Sequence, residues 1–296
     1  MKYNGTIYRP PIEANTFLLP ITEGCSHNSC TFCNMYRGIP FRMLSLEEVE
    51  GCLQEARKAY GAFLQNLRRI YLVGADPFAL SAARLLERID LIREYLPRIE
   101  VVTMYARVDN IAKKNDADLA ALREAGVNDL YVGVECGLDD VLRDLDKGYA
   151  TEDIRRECLR LNDAGIRHND LLMLGTAGQG RGAECAAATA ALENAIRPDK
   201  ILVTTMSAFV GTRLDEDIKQ GKFIPATEKE HLQEERDFLA ALDLPGTYFW
   251  SLHSLDSVRI DGVLRKDKED MLKTLDHAIA HAADVKINRV SRVGTL

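Results

Sequence analysis

Gly24-Cys25-Ser26-His27-Asn28-Ser29-Cys30-Thr31-Phe32-Cys33 follows directly on the apolar run Phe17–Ile21. A short apolar run bounded by turn residues reads as a buried strand, so the cysteines sit on the loop at that strand's C-terminal end. In parallel α/β folds that end is where sites are built. Three thiols spaced C-x4-C-x2-C on such a loop predict a metal centre at the start of a series of βα units.

The rest of the chain continues the series. Apolar runs of strand length recur at Ile70–Val73, Val101–Tyr105, Asp129–Val134, Leu171–Leu174 and Ile201–Thr205. Between them lie helical patterns at about 45–60, 79–95, 115–125, 151–165, 183–195 and 227–242. Two of these open on a capping box, Ser45-x-x-Glu48 and Thr227-x-x-Glu230, which satisfies the orphan amides of a first helical turn. Six alternating strands and helices imply parallel βα units with right-handed crossovers, either an open partial barrel or a doubly wound sheet. The rhythm breaks near residue 246. Gly246–His253 is rich in aromatics and Asp267–Ala282 reads as a helix, so residues 1–245 are expected to form the main domain. Residues 246–296 are expected to form a C-terminal appendage against its open side.

Composition narrows the class. The 296 residues are 46% hydrophobic and 28% charged, with a formal net charge of −7. That is the profile of a globular protein. No apolar run approaches the ~20 residues of a membrane span. Met1–Gly5 lacks the apolar stretch of a secretory leader, which points to the cytoplasm and to no membrane partner. The acidic balance and the lack of a dense Lys/Arg run argue against a dedicated nucleic-acid surface. Cys52, Cys136, Cys158 and Cys185 are scattered and read as small buried hydrophobes.

Three thiolates converge on one centre only if their loop curls, which Gly24 and the small polar residues permit. A zinc site would need a fourth ligand, and His27 is available. Structural zinc sites usually pair two knuckles, however, and no second C-x2-C is present. On a four-iron cluster, three cysteines leave one iron with an open position. A chemically active cluster needs that position, whereas an electron carrier normally uses four thiolates. The iron–sulfur reading is therefore the stronger.

With Cys25, Cys30 and Cys33 so spaced and Phe32 in the aromatic slot before the last of them, the sequence resembles the radical S-adenosylmethionine (SAM) superfamily. The usual spacing is C-x3-C-x2-C, so the first interval here is one residue longer. Tyr8–Glu13 and Cys25–Tyr36 resemble stand-alone bacterial members near the elongator catalytic subunit and oxygen-independent coproporphyrinogen oxidase. The resemblance implies an α/β fold, a six-unit (β/α)6 partial TIM-type barrel, with a [4Fe–4S] cluster and SAM as cofactors. Gly74-Ala75-Asp76 occupies the place of a Gly-Gly-Glu motif that receives the SAM ammonium, and an ordinary helix-capping turn is the alternative. Gly133-Val134-Glu135-Cys136-Gly137 resembles a Gly-x-Glu-Ser-Gly motif. Glu135 is thus expected to meet SAM or substrate, against the alternative of a buried structural carboxylate. Lys147, Arg155 and Arg156 fall where relatives keep basic residues near the SAM carboxylate, or are simply solvated. Gly175 lies in a strand end resembling the one that packs on adenine, where a missing Cβ lets backbone approach a flat ring.

The resemblance implies reductive cleavage of SAM to a 5′-deoxyadenosyl radical that abstracts hydrogen from a small-molecule substrate. It also implies an electron donor such as flavodoxin or ferredoxin. Glu135 and His253 are the expected catalytic side chains. Tyr36, Tyr105, Arg107, Thr204, Thr205 and Arg259 are further substrate-side candidates, each with an ordinary structural reading. Tyr248, Trp250 and His253 are expected to border a metabolite-sized cavity. Two alternatives stay open: a cluster-bearing protein that binds or delivers a haem-type cofactor, and a transfer-RNA modification enzyme.

Overall fold

The computed structural model describes residues 6–282 and 290–291. Met1–Gly5, read above for the lack of a leader, lie outside them, as do 283–289 and 292–296 of the expected appendage. The fold is α/β with mostly parallel strands. Residue contacts divide the chain into two compact units. One comprises Met1–Asn28, Met35–Val132 and Glu157–His168, the other Ser29–Asn34, Gly133–Arg156 and Asn169–Leu296.

In the first unit, strands β1 (Phe17–Pro20), β2 (Arg69–Val73), β3 (Val101–Ala106) and the start of β4 (Val127–Glu135) are parallel neighbours. Phe17 lies opposite Ile70, Arg69 opposite Val101 and Thr103 opposite Asp129. Ile70–Val73 are all buried, the continuous apolar run of a strand covered on both faces. The helices Leu46–Tyr60 and Ala82–Tyr95 pack together, with Val49, Leu53 and Ala56 buried on one and Leu85, Ile89 and Ile92 on the other. Each fully buried Leu or Ile contributes about 1.5–3 kcal/mol. The capping box at Ser45 and Glu48 forms as its spacing predicts.

The strand starts in this unit carry a closed polar network. Arg69 pairs with Glu13 and with Asp129 at 2.6 Å, and the Tyr131 hydroxyl donates to Glu13 Oε1 at 2.6 Å. Burial alone would raise the Glu13 pKa, but bonds from Arg69, Thr16 and Tyr131 outweigh it and hold the group below the carboxylate range.

In the second unit, β5 (Arg167–Leu174) pairs in parallel with β6 (Lys200–Thr205), Asn169 opposite Lys200. The aromatic segment after residue 246 is not irregular. Tyr248–Ser251 is a strand, β7, running parallel to β6 with Tyr248 opposite Lys200. Next to it β8 (Ile260–Val263) reverses, antiparallel to β7. At four residues β7 is too short for its alternation to be legible, although its aromatic content favours a strand. Helices Gly182–Ile196 and Glu228–Ala241 pack together, and Leu264–His281 packs on the second of them. Phe249 meets Phe238 of helix Glu228–Ala241 with ring centroids 6.2 Å apart. No described helix is long and apolar enough to cross a membrane.

Candidate cluster and cofactor site

The residue before the first cysteine has to be glycine. Gly24 has φ +71°, and a Cβ there would stand 2.5 Å from the Pro40 carbonyl oxygen and 2.7 Å from that of Ile39. Asn28, also at positive φ, donates its backbone N–H to Cys25 Sγ at 3.3 Å. Its side-chain amide donates to the Tyr36 carbonyl at 3.2 Å.

In the second unit Cys33 N–H donates to the Cys30 carbonyl at 3.2 Å, closing the turn between the two cysteines. Thr31 anchors that turn. Its N–H donates to the Leu145 carbonyl at 3.1 Å, its hydroxyl to the Asp144 carbonyl at 3.3 Å, and its carbonyl accepts from Leu214 N–H at 3.0 Å. Cys25, Cys30 and Cys33 are each half-buried and none of the chain's seven cysteines is in a disulfide. Three reduced, partly accessible thiols on an externally braced loop are a donor set that fits a [4Fe–4S] cluster with one open iron position.

Asp76 ends the turn after β2 and is fully buried. Ser26 Oγ donates to its Oδ2 at 2.7 Å, Arg107 N–H to its Oδ1 at 3.3 Å, and the Asn110 amide to Oδ2. Burial raises the Asp76 pKa, opposed by Ser26, by the charge of Arg107 and by Asn110. The carboxylate therefore braces Ser26, the neighbour of Cys25.

Glu135 closes β4 with φ +68°, and Cys136 N–H donates back to the Val134 carbonyl at 2.9 Å. A positive φ at a non-glycine residue costs on the order of 1–3 kcal/mol and persists only where surrounding structure enforces it. The Glu135 side chain makes an ion pair, Lys147 Nζ to Glu135 Oε1 at 2.5 Å, with both side chains nearly buried. Lys147 Nζ also stands 6.0 Å from the Phe32 ring centroid and 5.4 Å from that of Tyr149. The Tyr149 hydroxyl donates to the Gly133 carbonyl at 2.5 Å. The expected residues Phe32, Glu135 and Lys147 thus form one chain of contacts.

Gly175 has φ +79° and lies so close to His231 that a Cβ would collide with the imidazole. The flat ring that this glycine admits is the protein's own. Gly175 N–H donates to Glu234 Oε2 at 2.9 Å, and burial pushes the Glu234 carboxyl well up. A small, mostly apolar cavity is lined by Glu135, Leu172, Leu174, Cys185, Glu234 and Phe238 among others. Tyr248, Trp250 and His253 are not among its lining residues.

His253 sits on a turn tied by Asp256. Asp256 accepts Thr205 N–H at 2.9 Å and His253 N–H at 2.9 Å, and burial pushes its pKa up to about 6. Leu255 N–H donates to His253 Nδ1 at 3.2 Å, which leaves Nε2 as the protonated nitrogen of the neutral ring. Burial lowers the His253 pKa. The Tyr248 hydroxyl is committed to Asp261 on β8, and Trp250 is buried.

The remaining candidates are structural in their contacts. Tyr36 packs edge-on against Tyr8 and Tyr105 against Tyr71. Arg107 pairs with Asp109 and Thr205 donates to Asp256. Thr204 Oγ1 is buried with no hydrogen-bond partner among the described residues, and Arg259 is exposed. Arg155 and Arg156 make i,i+3 pairs on a helix surface with Glu152 and Asp153. Sequence reasoning missed Ser26, Thr31, Asn110 and His231, because each acts through a partner distant in the chain.

A model of the radical SAM superfamily matches residues 19–179. The heme chaperone HemW of Bacillus subtilis (strain 168) is 30% identical over 115 residues, 38% of this chain and 30% of that protein. The match thus spans less than a third of that curated relative. Two solved structures share the fold. Coproporphyrinogen III oxidase (HemN) from Escherichia coli has a TM-score of 0.55 at 19% identity, covering 76% of this chain and 52% of its own. The archaeal Methanocaldococcus infernus Elp3 has 0.55 at 15% identity, covering 90% and 64%. With more than half of its length inside the family match, its cysteine loop included, this chain belongs to the radical SAM superfamily.

Proposed function

We propose that the chain is a radical SAM enzyme in which Cys25, Cys30 and Cys33 ligate the family's [4Fe–4S] cluster and whose substrate is a small molecule. When bound, the cluster and SAM supply reductive cleavage to methionine and a 5′-deoxyadenosyl radical, which removes hydrogen from the substrate. The observation that carries this reading is the cysteine loop, with three half-buried thiols and a backbone braced by Thr31, Asn28 and Gly24 instead of by disulfides.

The protein's own residues bind and position. Backbone carbonyls at Gly74 and Ala75 accept the SAM ammonium, a cation that needs several acceptors. Asp76 holds Ser26 and so fixes the chain beside Cys25. Glu135, fixed by Lys147, offers an acceptor to SAM or substrate, and Phe32 lies against that pair. Gly175 lines the adenine side together with His231. His253 presents Nε2–H to an acceptor oxygen on the substrate. The electron donor is of the flavodoxin or ferredoxin kind, and the location is the cytoplasm, where reducing conditions keep thiols available for a cluster.

Anaerobic reconstitution tests this. The protein should take up about four irons, and with dithionite should convert SAM to 5′-deoxyadenosine. Alanine at Cys25, Cys30 or Cys33 should abolish both. Stoichiometric zinc without iron-dependent absorbance would overturn it. The similarity to the heme chaperone HemW favours a second reading, haem binding without turnover. It predicts a Soret band on haem addition and no 5′-deoxyadenosine.

A further inference from the structure

We infer that Arg9 anchors a carboxylate carried by the small-molecule substrate; this rests on the reading above and gives that substrate a chemical class. Arg9 is half-buried, its Nε is closed off from solvent, and its side chain makes no hydrogen bond or ion pair with any described residue. Acids are not scarce, since the chain holds 45 Asp and Glu against 38 Lys and Arg. Arg69 and Arg107 of the same unit pair with Glu13, Asp129 and Asp109, and Arg88 donates to the Arg84 and Leu44 carbonyls. A guanidinium nitrogen taken out of water without an acceptor costs stability, so the retention of Arg9 calls for an acceptor from outside the chain.

The backbone on both sides of Arg9 is pinned. Tyr8 is 6% exposed and packs edge-on against Tyr36 with ring centroids 5.3 Å apart. Pro10 and Pro11 restrict the φ angles that follow, and Glu13 N–H donates to the Pro10 carbonyl at 2.9 Å. The Glu13 side chain is in turn held by Arg69 and Tyr131. A cation on so rigid a support is pre-organised for a ligand. The segment also adjoins the cysteine loop. The Tyr36 carbonyl accepts from the Asn28 side-chain amide, and Asn28 donates its backbone N–H to Cys25 Sγ. A planar guanidinium presents paired donors that match two oxygens of one group. Its single charge balances a carboxylate, whereas a phosphate monoester carries about −1.5 to −2 and would stay uncompensated.

Thermal unfolding of the reconstituted protein tests this, with succinate or inorganic phosphate compared against sodium chloride at equal ionic strength. Succinate should raise the wild-type midpoint and leave that of Arg9→Met where chloride puts it. Arg9→Lys keeps the charge without the fork and should show a smaller shift than wild type. In chloride alone Arg9→Met should unfold no lower than wild type, because the cation it removes has no partner among the described residues. The same variant should bind SAM as tightly as wild type in equilibrium dialysis. Equal succinate shifts in wild type and Arg9→Met would overturn the inference, as would a larger wild-type shift with phosphate. An Arg9→Met protein that unfolds early or fails to fold would make Arg9 structural and overturn it too. Lost SAM binding in a folded variant would assign the guanidinium to the cofactor's own carboxylate instead. Failure of the enzyme assignment shows separately, as wild-type protein that makes no 5′-deoxyadenosine whatever succinate does.

Discussion

Asp76 and Glu135 each follow a parallel strand, and the sequence offers them as equivalent acids. The structure separates them. Asp76 is surrounded by uncharged donors, Ser26, Asn110 and a backbone N–H, and its φ of −164° lies outside the left-handed region. Glu135 sits at positive φ and is held chiefly by one cation, Lys147. A carboxylate whose lone pairs are spent on its own loop is a brace. Glu135 is held by one buried lysine at a positive φ, and strain of this kind concentrates at functional sites.

The sharpest test of this contrast is Glu135→Ala. It leaves the Lys147 ammonium buried without its partner, and breaking a buried pair costs about 3–5 kcal/mol. Urea unfolding should show that loss, and SAM binding measured by equilibrium dialysis should disappear with it. Glu135→Gln keeps an acceptor and should recover most of the stability but not the binding. Asp76→Ala comes next. It strands three donors, and unsatisfied buried groups cost about 1–3 kcal/mol each before relaxation, so cluster loading should suffer through the loop. Asp76→Asn retains one acceptor oxygen and should load iron and bind SAM within a few-fold of wild type. Abolished SAM binding in a folded Asp76→Asn protein would break the comparison.

Phe32→Leu should have a smaller effect. It removes the ring lying 6.0 Å from Lys147, a contact worth roughly 0.5–1 kcal/mol, and should lower the unfolding midpoint slightly while iron content holds. The smallest effect concerns pH. Burial lowers the His253 pKa below its usual 6.5, so between the two values the unfolded chain binds a proton that the folded one does not. The stability due to neutral His253 is complete above about 6.5 and is lost as pH falls from there towards the folded value. His253→Gln should flatten that part of the stability profile. An unchanged slope would show that the imidazole does not titrate differently on folding.

Much of the fold was legible because periodicity and capping act locally. The six strands and the helices between them follow from apolar spacing, and Ser45 with Glu48 and Thr227 with Glu230 cap as their spacing requires. Asn115 and Asp118 make a third box outside the usual Ser/Thr-Glu/Gln pattern. β7 was not legible, since four residues carry too little alternation, and its pairing with β6 is a choice made in three dimensions. The cysteine loop announced itself through the spacing of its three cysteines and its place after an apolar strand. What Asp76 and Gly175 touch did not, because Asn110 and His231 lie 34 and 56 residues further along and neither sits in a motif.

The three bonds of Thr31 have a consequence for how such a protein matures. None of them passes through a sulfur, so the turn between Cys30 and Cys33 is shaped by the rest of the polypeptide before any metal arrives. A zinc finger, by contrast, is unfolded until its ion binds. Here assembly machinery would deliver iron and sulfide to a finished receptacle, and oxidative loss of the cluster would leave a vessel ready for refilling instead of a chain marked for degradation.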